Sequence, residues 1–230
     1  MIIGESNQLE YVKKTAMKKI NLEKLTILVT GGAGFIGSKV CKELLDHQAH
    51  VICFDNFSTG SLDAIESFSS HPNFRLIGGD IRDSEKCEMA MNGVDYVFHL
   101  AGVDHNTSKK IEESTINNIK VDGFLNVLSV FRDSKVKGLL YKSSIPQSHS
   151  SIELPTLEEV MKGKPLSSYV ISKYTNELYA NLFRKKYSLQ IQGVEFSPIY
   201  DKTNTKYVSK IIELNIDALN KMLREEYLRA

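Results

Sequence analysis

The chain has 230 residues, 42% apolar and 25% charged, enough to bury one substantial core and short for two full domains. Lys and Arg number 29 against 28 Asp and Glu, for a net charge of +1 with the signs interspersed. That balance argues against nucleic acid or an anionic membrane surface as partner. Cys41, Cys53 and Cys87 are odd in number, lack C-x-x-C spacing and sit in apolar-patterned segments, so they read as buried free thiols, with no disulfide and no metal site expected. The absence of an apolar signal core or bilayer-length apolar run leads to the expectation of a cytoplasmic protein with no membrane partner.

In chain order, residues 1–24 place Leu9, Val12, Ala16, Met17 and Ile20 at roughly helical spacing, which predicts a peripheral N-terminal helix. Leu25-Thr-Ile-Leu-Val-Thr then suits a buried strand, and Gly31, Gly34 and Gly37 turn it into the amphipathic pattern Ser38-Lys-Val-Cys-Lys-Glu-Leu-Leu-Asp. Strand, Gly-x-x-Gly-x-x-Gly turn and helix form a variant of the dinucleotide fingerprint, in which helix amides and dipole receive a diphosphate. A second strand over Ala49–Asn56 ends in Asp55, 18 residues after Gly37, where an acid is expected to bond the adenosine ribose hydroxyls. The competing reading of Asp55 is a turn or cap residue. No Lys or Arg follows in Asn56-Phe-Ser-Thr-Gly, so a 2′-phosphate would meet an uncompensated carboxylate and NAD is favoured over NADP.

A third strand from Asn73 empties into Asp80, on the ligand-binding edge and suited to accept from the adenine amino group; a helix near Ser84–Met91 follows. Asp80 and Asp83 also have readings as caps of that helix. Val94-Asp-Tyr-Val-Phe-His-Leu is the fourth strand, and its small tail Ala101-Gly102 lets the backbone pass beneath a cofactor. His99, alone in a central strand, reads as packed and hydrogen-bonded rather than catalytic. One long helix carries Val121, Phe124, Leu125, Val127, Leu128 and Phe131, and Lys137–Tyr141 makes the fifth strand. Repeated strand and helix units predict an α/β fold, a doubly wound parallel sheet of Rossmann type with helices on both faces.

The fifth strand opens into Lys142-Ser143-Ser144, and Tyr169-Val-Ile-Ser-Lys173 begins a helical pattern 25 residues after Ser144. Positions i and i+4 share a helix face, so phenol and ammonium can point into one cleft. A tyrosine ionises near pH 10 in isolation; a fixed cation stabilises its phenolate and makes it a usable base. Ser144 can donate to the same substrate oxygen. Tyr-x-x-x-Lys alone is common surface decoration of helices; its place after the fingerprint and a Ser-bearing strand end points to catalysis.

The phrases Thr30-Gly-Gly-Ala-Gly-Phe-Ile-Gly-Ser, Asp55-Asn-Phe-Ser-Thr-Gly, Gly79-Asp-Ile-Arg-Asp, Val97-Phe-His-Leu-Ala, Gly123-Phe-Leu-Asn-Val-Leu and Ser168-Tyr-Val-Ile-Ser-Lys together resemble the extended short-chain dehydrogenase/reductase family. The resemblance is to its nucleotide-sugar epimerase and dehydratase branch, above all the UDP-hexose and UDP-N-acetylhexosamine 4-epimerases, and covers about residues 25–200. It implies NAD held tightly by Gly31, Gly34, Phe35, Ile36, Gly37, Asp55, Asn56, Ser58, Thr59, Gly60, Asp80, Ile81, Leu100, Ala101 and Gly102. It further implies Tyr169 as base, Lys173 on the nicotinamide ribose, Ser144 orienting the sugar hydroxyl, a nucleotide sugar, most readily UDP-linked, as substrate, and a homodimer formed through helices. In such enzymes the sugar C4 hydroxyl is oxidised and then reduced from the opposite face.

The chain departs from that pattern at Ser144-Ile-Pro-Gln-Ser-His-Ser-Ser, where a Val-Tyr-Gly turn is usual, and at Lys120, Glu195, Pro198 and Asp201, which stand for asparagine, arginine, asparagine and glycine. Asn118 substitutes for that first asparagine if the helix register shifts. Residues 201–230 offer one amphipathic helix with Ile211, Ile212, Leu214, Ile216, Leu219, Met222 and Leu223, a remnant of a substrate domain expected to be reduced or absent. Two readings follow: an NAD-dependent nucleotide-sugar 4-epimerase or dehydratase, and a truncated, catalytically weak homologue that binds NAD as an interaction module.

Overall fold

The computed structural model describes residues 22–103, 111–143, 168–195 and 217–223. The expected N-terminal helix and most of the C-terminal one fall outside these residues. Strands β1 (Thr26–Thr30), β2 (His50–Asp55), β3 (Phe74–Gly78), β4 (Tyr96–His99), β5 (Gly138–Ser143) and β6 (Ile191–Glu195) form one parallel sheet in the order β3-β2-β1-β4-β5-β6. The order reverses between β1 and β4, so a crevice opens beyond their carboxyl ends, the place where doubly wound sheets take ligands.

Alternation along the strands supplies both faces. Ile27 and Val29 point to one side with Val40, Cys41 and Leu44 of α1 (Phe35–Asp46), and Leu219 and Met222 of the helical residues 217–223 join that cluster. Leu28, Ile52 and Val97 point to the other, where α2 (Ser84–Met91), α4 (Gly123–Asp133) and α5 (Ser168–Tyr187) bring Cys87, Phe124, Leu128 and Phe183. All three cysteines are buried and free.

The expected long helix before β5 is interrupted. An α-helix, α3 (Glu113–Asn117), passes through a π-helical turn at Asn118–Asp122 before α4 resumes. β6, which the sequence reading did not propose as a strand, completes the sheet beside β5. Strand β3 ends at Gly78, so Asp80 lies in the turn beyond it. Among the described residues no helix is long and apolar enough to cross a membrane, and no group of three or more His, Cys, Asp or Glu could hold a metal.

Candidate active site

Strand β1 delivers the glycine turn to the crevice. Gly31 has φ +70°, and a Cβ there would lie 2.7 Å from both N and Cα of Ala101; only glycine lets this turn press against the backbone leaving β4. A Cβ on Gly37 would lie 2.0 Å from the Gly31 carbonyl oxygen, so Gly37 lets α1 start directly on the turn. Gly34 is the N-cap of α1, no side chain caps it, and no acid sits in the first turn. The helix start, with Phe35 and Ile36, therefore presents its positive end without a neutralising carboxylate, which suits an incoming diphosphate.

Asp55, 7% exposed at the end of β2, accepts from Ala33 N at 2.9 Å and Phe57 N at 2.8 Å. Each oxygen takes one backbone N–H and retains a second lone pair for a ribose hydroxyl. The carboxylate thus fastens the glycine turn to the Asn56–Gly60 loop. That loop closes on the same turn: a Cβ on Gly60 would meet the Ala33 backbone at 2.8 Å, and Ser58 N donates to Asn56 Oδ1.

Beyond β3, Asp80 accepts from Arg82 through Nε at 2.9 Å and a terminal nitrogen at 2.7 Å, and from Asn56 Nδ2 at 2.8 Å. The Arg82 guanidinium holds the Asp80 carboxyl well below the usual carboxylate range. Asp83, not Asp80, caps α2, accepting from Lys86 N. Counting basic residues in the loop after Asp55 misses Arg82, which the turn beyond β3 brings to this edge already paired with a carboxylate. Ile81 is buried against α4, where Asn126 Nδ2 donates to its carbonyl at 2.6 Å.

His99 ends β4 as a packed residue. Its Nδ1 shares a hydrogen bond with Thr30 Oγ1 at 2.9 Å, and its ring stacks on Phe124 with centroids 5.2 Å apart. Burial, then the charges of Lys173 and Lys120, push its pKa down to about 3. His99 therefore stands neutral between the root of the glycine turn and two lysines. Leu100 and Ala101 are anchored to Thr30 by their backbone N–H groups, and Gly102 follows with φ +144°.

Tyr169 and Lys173 lie one turn apart at the start of α5. Lys173 Nζ donates to the carbonyl of Lys142 in β5 at 2.9 Å, which fixes the ammonium at the carboxyl end of that strand. Burial, Lys120 and Lys142 push the Lys173 pKa down; Glu177 opposes the shift. Ser144 lies outside the described residues, but its neighbour Ser143 is held by a buried carboxylate: Glu177 accepts from Ser143 Oγ and Tyr141 OH, each at 2.5 Å. Sequence reasoning did not single out Glu177, Asn176 or Thr30, and it noted Lys120 only as a departure. Their acid, amide or hydroxyl chemistry gives no signal until the fold buries it. A cavity of about 300 Å³ lined by Arg184, Gln190 and Met222 lies at the amino end of β6, at the opposite end of the strands from this chemistry.

One edge thus gathers the glycine turn at the start of α1, a buried carboxylate at the end of β2 and a Tyr-Lys pair, an arrangement that could move a proton at a substrate bound beside a dinucleotide. A putative UDP-glucose 4-epimerase of Methanocaldococcus jannaschii is 30% identical over 203 residues, 87% of this chain and 64% of the relative. The UDP-N-acetylglucosamine 4-epimerase of Methanobrevibacter ruminantium, solved in complex with UDP-N-acetylmuramic acid, superposes with a TM-score of 0.63 at 28% identity, over 80% of this chain and 59% of that one. A dTDP-glucose 4,6-dehydratase of Streptomyces venezuelae with NAD and TYD bound gives 0.64 at 27% identity, over 74% and 55%. The chain spans less than two thirds of the length of the curated relatives it matches. The family model for the NAD dependent epimerase/dehydratase family matches residues 27–228, most of the chain, and the chain belongs to that family.

Proposed function

We propose that the chain forms the cofactor-binding and catalytic part of an NAD-dependent nucleotide-sugar epimerase acting at the sugar C4, with Tyr169 as the base. The observation that carries this reading is the pair Tyr169 and Lys173 at the carboxyl end of β5, on the same sheet edge as the uncapped glycine turn. The residues fit NAD: the start of α1 for the diphosphate, Asp55 for the adenosine ribose, Asp80 and Ile81 at the adenine, Leu100–Gly102 beneath the cofactor and Lys173 at the second ribose. NAD, when bound, supplies reversible hydride exchange with the sugar carbon.

The protein's own share is position and charge. Tyr169 takes the C4 hydroxyl proton as that carbon is oxidised and returns it when the ketone is reduced. Lys173, fixed by the Lys142 carbonyl, favours the phenolate that does this, and Ser144 orients the hydroxyl. The relatives' names support a UDP-linked hexose or N-acetylhexosamine as substrate. The apolar stripe Ile171, Leu178 and Leu182, about half exposed on α5, supports a homodimer.

The test is Tyr169→Phe. Turnover of UDP-glucose or UDP-N-acetylglucosamine is expected to fall about 10³-fold, while mass spectrometry of the denatured protein still finds NAD. Turnover at the wild-type rate would defeat the assignment of the base. The same exposed stripe favours a second reading, an NAD-binding interaction module with little activity. Calorimetry showing NAD uptake without any heat from UDP-sugars selects it, and tight UDP-sugar binding rejects it.

A further inference from the structure

Lys120 is a charged side chain only 6% exposed, and an ammonium is not buried without compensation. The π-helical turn Asn118–Asp122 carries it inward beside Val121, and such turns interrupt α-helices frequently at functional sites. Its Nζ donates to the carbonyl of Val103 at 3.1 Å and lies 4.0 Å from the centroid of the Tyr169 ring. Its backbone carbonyl accepts from Asn176 Nδ2 at 2.9 Å. Both the side chain and the backbone of Lys120 are therefore tied to α5, the helix that holds Tyr169.

The titratable groups around this contact come from three further elements. β4 contributes His99, which stays neutral. β5 contributes Lys142 and Tyr141, whose phenol donates to Glu177 and is pushed up in pKa by burial. α5 contributes Lys173 and Glu177, and both oxygens of Glu177 already accept from β5. Lys173 feels Lys120 and Lys142 as repulsive charges. Lys120 over the ring and Lys173 one turn along the helix both lie close to Tyr169, and nearby positive charges favour a negative charge on its oxygen.

We infer that Lys120 is a positioning residue of the proposed reaction: its ammonium, fixed between the Val103 carbonyl and the Tyr169 ring, orients that ring and stabilises its phenolate. Tyr169 then works between two cations, Lys173 one turn along the helix and Lys120 over the ring face. Lys120 itself neither gains nor loses a proton, since the C4 hydroxyl proton passes to the phenolate. This rests on the reading of Tyr169 as base.

The experiment follows tyrosinate absorbance of the full chain against pH. Subtracting the Tyr169→Phe trace in the same background isolates one of the ten tyrosines. Lys120→Met is expected to raise the Tyr169 midpoint by about one to two pH units, the scale of one charge a few ångströms away near a protein boundary; Lys120→Arg is expected to bring it back to the wild-type value. A folded Lys120→Met protein with an unmoved midpoint overturns the inference. If that variant does not fold, Lys120→Gln, whose amide can still donate to Val103, is expected to give the same shift, and an unmoved midpoint there overturns the inference equally. The titration needs no turnover, so an unmoved midpoint refutes Lys120 alone, whereas undiminished turnover in Tyr169→Phe refutes the base.

Discussion

Burial beside two lysines leaves His99 uncharged, with its pKa pushed down to about 3 against an ordinary value of 6.5. The unfolded chain binds a proton at this histidine below about pH 6.5, and the folded one does not until about pH 3. Stability from this source is whole above the unfolded value and is lost as pH falls through that window, at up to about 1.4 kcal/mol per pH unit. Urea unfolding between pH 5 and 7, compared with His99→Gln, is expected to show a shallower acid slope in the variant. Gly31 is equally exacting for a steric reason. Alanine there meets the backbone of Ala101 and a left-handed φ at once, so Gly31→Ala should lose at least about 2 kcal/mol of stability in the same assay. The thiols give a third measurement at this scale: Cys41, Cys53 and Cys87 are all buried, with Cys87 pushed up to about 12 by burial. A chromogenic disulfide reagent should find no reactive thiol in the native protein and all three after denaturation.

At the scale of elements, α4 packs beside both the sheet and α5, in the core they share. Phe124, 1% exposed, stacks on His99 and lies 5.2 Å from the ring of Tyr141. Phe124→Ala is expected to lower stability by about 3–5 kcal/mol, read by thermal or urea unfolding. The elements that were legible in the sequence are those whose signal is local. The β1 run, the glycines after it and the apolar spacing of α1 lie within some twenty residues, and the Asp83 cap is local in its turn, three residues from the Lys86 N–H it accepts. β6 was not legible because Ile191-Gln-Gly-Val-Glu is short, interrupted by glycine and polar at Gln192 and Glu195 without a strand's alternation. The π-helical turn leaves no mark in Asn-Ile-Lys-Val-Asp either. Its stability comes from partners distant in sequence, Asn176 on the Lys120 carbonyl and Val103 beneath the ammonium. The glycine turn and the Asp55 strand end could be read from residues 25 to 60, whereas the buried groups behind Tyr169 needed the fold to bring β4, β5 and α5 together.

For the whole molecule, the parallel order β3-β2-β1-β4-β5-β6 puts every described strand's carboxyl end on one rim, and among the described residues five of the eight exposed large apolar side chains, Val170, Ile171, Leu178, Leu182 and Tyr187, lie on α5. Ile171, Leu178 and Leu182 are 50%, 46% and 50% exposed and follow the helical repeat. If α5 pairs with a second copy, Leu178→Glu combined with Leu182→Glu should convert a dimer to a monomer in light scattering while leaving the far-ultraviolet spectrum unchanged.

Glu177 ties this rim together in time as well as in space. It lies 36 residues beyond Tyr141 and 34 beyond Ser143, and it accepts from both. A ribosome making this chain releases the glycine turn and Asp55 long before it releases that carboxylate, so the tie between β5 and Glu177 forms only when α5 arrives. The glycine turn and its Asp55 clasp are therefore made from chain that emerges early, whereas Tyr169 and Lys173 reach the same rim only once α5 has docked on β5.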